Sequence, residues 1–89
     1  MCGIFGIFSN NPVINPILKG LSKLEYRGYD SSGISVLDNS NSIITIRAKG
    51  KLENLNKKIK IKKLFGNVGI GHTRWATHGV PSTNNAHPH

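Results

Sequence analysis

The stretch "MCGIFGIF", Met1–Phe8, decides how this chain is read. Ile4–Phe8 is a short apolar run bounded by Gly3 and by Ser9-Asn10-Asn11-Pro12. Such a run predicts a strand buried on both faces, in preference to an alternating edge strand. The same stretch carries the only cysteine, directly behind the initiator methionine. An internal cysteine is most often a small buried residue. A cysteine at position two differs: once Met1 is removed, one residue holds both a thiol and a free α-amino group. Thiolate is the reactive form, and an ordinary thiol with a pKa of about 8.5 is mostly protonated at neutrality. An α-amino group titrating near about 7.7–8.0 can take that proton, directly or through a water, and return it to a leaving group.

Working outward, "NPILKGLSKLEYRGYD" predicts a helix with Asn15 as N-cap and Pro16 as its first residue. Ile17, Leu18, Leu21 and Leu24 share one face, and Gly28 can close the end. Gly33–Leu37 and Ser42–Ala48 are rich in β-branched residues and flank the polar turn Asp38–Asn41, which predicts a hairpin. Lys51–Phe65 places Leu52, Leu55 and Ile59 at helical spacing, and Asn67–Arg74 reads as a strand running into a loop. The last fifteen residues carry turn formers and no periodic apolar pattern. The inventory is strand, helix, hairpin, helix, strand, loop, an α+β arrangement. Its few strands would leave open edges and uncovered faces, so the 89 residues are expected to be the first part of a larger domain.

Composition narrows the function classes. One cysteine allows no internal disulfide, and no stretch approaches the roughly 20 apolar residues of a membrane span. The N-terminus lacks the pattern of a signal peptide, so a cytoplasmic location is expected. Lys and Arg number 12 against 4 Asp and Glu, a net charge of +8, and most of the excess lies between Arg47 and Lys63. No aromatic residue interleaves with those lysines, so base stacking has no platform and no nucleic-acid partner is expected. The four histidines lack the i, i+4 spacing of a helical zinc site, and no metal or other cofactor is expected.

Two further stretches concentrate chemistry. "LEYRGYDSSG", Leu24–Gly33, sets Arg27 between Tyr26 and Tyr29 and ahead of Asp30, although it could be no more than a helix cap with an Arg–Asp pair. "GHTRWATHG", Gly71–Gly79, ends a strand in a glycine-bounded loop. There the guanidinium of Arg74 suits two-point capture of a carboxylate, Thr77 could complete the grip, and Trp75 could cover a pocket or simply pack inward.

Taken together, "CGIFGI" behind Met1, "LEYRGYDSSGI", and "GHTRWATHG" followed by "NAHPH" resemble the glutaminase domain of class II glutamine amidotransferases. The resemblance spans essentially the whole chain. Within that family the phosphoribosyl-transferring branch typically shows His-Arg-Gly-Gln-Asp and the asparagine synthetases His-Arg-Gly-Pro-Asp. Tyr26-Arg27-Gly28-Tyr29-Asp30 and Arg74-Trp75-Ala76-Thr77-His78 follow the aminosugar pattern instead.

The resemblance implies an αββα N-terminal-nucleophile hydrolase sandwich, incomplete over residues 1–89, with Cys2 as the nucleophile after loss of Met1. It implies that Cys2 attacks the side-chain amide of L-glutamine, giving a γ-glutamyl thioester and ammonia, and that water then releases glutamate. Arg74 would bind the α-carboxylate with help from Thr77 and His78, Trp75 would close over the site, and Arg27 would line it. Ammonia would pass to sugar isomerase domains outside this chain, where fructose 6-phosphate becomes glucosamine 6-phosphate, and the parent is expected to be a homo-oligomer. Family members continue into a strand bearing His-Asn-Gly that forms the oxyanion hole, and then to an aspartate that holds the substrate amine. Losing one oxyanion donor costs about 10²–10³ in rate, so residues 1–89 alone are expected to be inactive. A second hypothesis keeps the shape without the chemistry: a small basic module docking an anionic partner through Arg47–Lys63.

Overall fold

The computed structural model describes residues 2–24, 30–62, 64–74, 82–84 and 86–89. The elements run β1 (Gly3–Phe8), α1 (Ile14–Leu24), β2 (Ser31–Leu37), β3 (Ile43–Lys49), α2 (Leu52–Lys62) and β4 (Val68–Arg74). The order of types is the one the sequence predicts. The four strands form one antiparallel sheet in the order β1-β4-β2-β3.

That order interlocks two split β-α-β units. β1 and β2 run the same way, joined through α1, with β4 antiparallel between them. β3 and β4 also run the same way, joined through α2, with β2 between them. Both helices therefore return across one face of the sheet, α1 over β1 and β4, α2 over β3 and β2. Ile17, Leu21, Ile34, Val36, Ile46, Leu52, Leu55 and Ile59 form the core between the layers.

The local causes are legible in each element. Helix α1 begins at Ile14, two residues earlier than the Asn15–Pro16 signal predicts: the Ile17 amide donates to the Val13 carbonyl at 3.0 Å, which makes Val13 the cap. The Val13 amide itself donates to the Gly66 carbonyl at 2.9 Å, so tertiary bonding replaces the side-chain cap. Pro16 falls in the first turn, where an absent N–H costs nothing. Gly28, the expected closing residue, lies outside the described residues. Helix α2 buries Leu52, Leu55 and Ile59 as expected, but stops at Lys62, short of the predicted Phe65. The β2–β3 turn is organised by Asp38, whose Oδ1 accepts from the Ser40 and Ser42 amides at 2.9 and 3.0 Å and from Ser40 Oγ at 2.8 Å. These donors hold the Asp38 carboxyl below the usual carboxylate range, the Ser42 amide foremost. Asn41, at φ 62°, makes the left-handed step that the turn needs.

β1 differs from expectation. It is an edge strand with alternating exposure, and Ile4 and Phe8 are 72 % and 82 % exposed. Its alternate residues Phe5 and Ile7 pack on the helix side, whereas Ile4 and Phe8 face the other side of the sheet. Ile43 and Ile70 are exposed on that same open side, at 76 % and 48 %. No helix among the described residues is long and apolar enough to cross a membrane.

Close approach of α1 depends on small residues in β4. A Cβ on Gly71 would lie 2.6 Å from Ile17 Cγ2 and 2.9 Å from Leu21 Cδ1, both fully buried atoms' side chains. Gly71→Ala is therefore expected to lower stability by about 1–3 kcal/mol through overpacking. Ile43→Thr on the open face should stay within about 0.5 kcal/mol. Urea unfolding midpoints of the two variants check the contrast.

Candidate active site

The ladders bring the sequence's chemical stretches to one end of the sheet. Gly3 pairs with Thr73, so the register continued one residue back sets Cys2 opposite Arg74. On the other flank Arg74 pairs with Ser31, and Ser31 with Lys49. Cys2 is exposed and its thiol is free, whereas Arg74 is 8 % exposed. The Asp30 amide donates to the Arg74 carbonyl at 2.7 Å, and the Asp30 carbonyl accepts from the Gly50 amide at 2.8 Å. Asp30 thus fastens the residue just before β2 to the end of β4. Of the predicted site residues, Cys2 directly precedes β1 and Arg74 ends the paired strand β4, at the same end of the sheet. Arg27, Trp75, Thr77 and His78 lie outside the described residues.

Along the strands, the open face grades in polarity. Its first row is Arg74, Ser31 and Lys49, with Cys2 just outside β1 at the same end; its second is Ile4, His72, Gly33 and Arg47; its last is Phe8, Val68, Leu37 and Ile43. An exposed thiol and a buried guanidinium therefore share the polar end. That pairing can do two things: the sulfur can attack an electrophilic carbon, and the guanidinium can fix a carboxylate on the same molecule. Ser31 and Ser32 are fully buried beside Arg74 and Thr73, and neither hydroxyl has a hydrogen-bond partner among the described residues. Among the described residues no group of His, Cys, Asp or Glu is arranged to hold a metal ion.

Sequence reasoning missed the role of the C-terminal segment. Ala86–His89 crosses the open face over the second row. The His87 carbonyl lies where a side chain on Gly33 would have to be, so only glycine fits there. The His87 ring stacks edge-on against His72 at 4.7 Å and against His89 at 4.5 Å. Arg47 Nη1 donates to the Ala86 carbonyl at 3.5 Å and meets His89 Nδ1 at 3.2 Å. The strand pattern of residues 67–74 revealed His72, but nothing local in the sequence says that "AHPH" folds back onto it.

Burial foremost, then His87 and Arg74, holds His72 below the usual imidazole pKa. His87 is held down likewise, by burial and then by His89, Arg74 and Arg47. Both rings are thus favoured neutral in the folded chain. A depressed folded pKa contributes stability above the unfolded value of about 6.5 and loses it as the pH falls through that value toward the folded one. Stability is expected to drop between pH 7 and 5, before the carboxylates titrate. In His72→Gln the drop should be clearly smaller, read by thermal melts across that range.

No protein-family model matches the chain. Relatives are nonetheless plain. The chain is 52 % identical over 89 residues to the glutamine–fructose-6-phosphate aminotransferase (isomerizing) of Buchnera aphidicola from Acyrthosiphon pisum. It is 53 % identical over 89 residues to that of Bradyrhizobium diazoefficiens, and 54 % over 91 to that of Wigglesworthia glossinidia brevipalpis. Each alignment covers all of this chain and 14–15 % of the relative's length. With half its residues identical along its whole length, the chain belongs to the glutamine–fructose-6-phosphate aminotransferase family, matching the N-terminal part of its members.

Proposed function

We propose that residues 1–89 are the nucleophile-bearing portion of a glutaminase domain that supplies ammonia for making glucosamine 6-phosphate from fructose 6-phosphate. The observation that supports this reading is the β1–β4 register, Gly3 opposite Thr73, with the exposed Cys2 just before β1 and the buried Arg74 just after Thr73. Removal of Met1 frees the α-amine. That amine takes the thiol proton, and the sulfur attacks the side-chain amide carbon of glutamine. The carbon–nitrogen bond breaks with return of the proton, ammonia leaves, and a γ-glutamyl thioester remains. Water then cleaves the thioester to glutamate and restores the thiol. Arg74 holds the substrate α-carboxylate, a charge-assisted and geometrically matched pair. In this reading Thr77 and His78, which follow β4 in the sequence, help to hold the substrate, Trp75 covers the site, and Arg27, which precedes β2 in the sequence, lines it.

The remainder of the sandwich covers the open face in this reading. Ile4, Phe8, Ile43 and Ile70 expose apolar surface that an αββα arrangement would bury against a second sheet. The chain spans about one-seventh of its relatives' length, which leaves ample sequence for that second sheet and for the sugar isomerase part.

Mass spectrometry of the mature protein should find Cys2 as the first residue with an unmodified amine. A glutamine-mimicking electrophile should label Cys2 and no other residue. Retained Met1 or an acetylated amine would sink the reading. In the full-length parent, Cys2→Ala should abolish glutamate release while sparing sugar isomerisation. Arg74→Ala should raise KM for glutamine by about 10–100-fold, the cost of hydrogen bonds to a charged group. Residues 1–89 alone should release no glutamate above background in a coupled assay.

A further inference from the structure

Away from Cys2, a cleft of about 360 Å³ opens along the outer edge of the sheet, between β3 and the second half of α2. Arg47, Lys58 and Lys62 line it, together with the hydroxyl-bearing Thr45 and Thr83. Among the described residues no carboxylate lines it. Lys57, elsewhere on α2, pairs with Glu53 at 3.4 Å. Arg47 meets the Ala86 carbonyl and the His89 ring.

Lys58 is held in place rather than left to wander. Its Nζ donates to the Arg47 carbonyl at 2.7 Å, which sets the ammonium against the strand edge with two donors to spare. The same bond shows that the Arg47 carbonyl points outward from edge strand β3. The Asn54 side chain likewise donates to the Lys49 carbonyl at 3.0 Å, two residues along. In an extended strand the N–H of a residue points the same way as its carbonyl, so the Arg47 amide is directed at the cleft as well. Three cations, two hydroxyls and an outward amide thus converge on one concavity. Like charges gathered without a counter-charge raise the local potential and attract an anion.

We propose that this cleft binds a phosphorylated small molecule, with its phosphate between Arg47, Lys58 and Lys62. Arg47 supplies the planar fork suited to phosphate oxygens, and the lysines supply point charges. Ile46 and Ile61 give the cleft an apolar wall for the organic part. Its size suits a metabolite rather than a polymer, and among the described residues the lining has no aromatic ring on which a base could stack. The inference is independent of the glutaminase reading, since it uses none of the residues at the Cys2 end.

Calorimetric titration of the full chain with inorganic pyrophosphate tests it, at about 150 mM salt, where exposed charges are screened beyond roughly 8 Å. One saturable site is expected. The Lys58→Gln/Lys62→Gln double variant should bind at least tenfold more weakly. Both side chains are exposed, and an unchanged melting temperature would show that the fold survives. Lys19→Gln/Lys23→Gln on α1, with the same loss of charge, should leave binding unchanged. Absence of saturation, or equal weakening by the α1 pair, would overturn the proposal. So would tighter binding of a short oligonucleotide that pyrophosphate does not displace.

Discussion

The pairing of β4 with β1 on one side and β2 on the other is the constraint from which the rest follows. β4 is the last strand in the chain yet sits inside the sheet. Until it enters, β1 and β2 have no shared neighbour and α1 has no surface to close on. Once it enters, three segments distant in sequence end at the same edge: the start of β1, the start of β2 and the finish of β4. Asp30 and Arg74 are joined by a backbone bond, and Cys2 precedes the strand paired to the other side of β4, before any side chain is considered. The site is thus a property of topology. The price is folding through non-local contacts, which form slowly because loop closure precedes their reward.

Much of this was legible locally, and the failures have physical causes. Leu52, Leu55 and Ile59 announced α2 because three apolar residues at helical spacing admit one buried face. The Asp38–Asn41 turn was legible because Asp and Asn bond their own backbone and tolerate left-handed geometry. The α1 start was misplaced because Val13 is fixed by a bond to Gly66, more than fifty residues away, which no local signal can reveal. β1 reads as doubly buried because its apolar run is continuous; its second face lies open among the described residues. Cys2 and Arg74 are singled out by chemistry and motif, but that they lie at one end of the sheet needed the register of Gly3 with Thr73. The fold-back of Ala86–His89 left only one trace in the sequence, the glycine at position 33, which reads equally well as a strand interruption.

Glycine has a different task on each face. On the helix side Gly71 lets Ile17 and Leu21 approach the backbone, so the core is made of side chains from α1 pressed onto bare strand. On the open side Gly33 admits a main-chain carbonyl. The first use builds stability through close packing, and the second brings a histidine-bearing segment to within ring contact of His72.

The polarity gradient on the open face links these observations to function. A uniformly apolar face would be covered along its whole length, and a uniformly polar one would need no cover. Here Phe8, Leu37 and Ile43 mark one end for burial, while Cys2, Arg74 and Lys49 mark the other as a place that must stay wet or accept a polar ligand. A second layer seated on the apolar end would leave a cleft at the polar end, roofed on one side and open on the other. Within such a cleft the field of Arg74 is strengthened, because a partly desolvated charge is screened less than an exposed one. The sheet can then anchor a covering layer and present an exposed thiol at once, because the two tasks occupy opposite ends of the sheet.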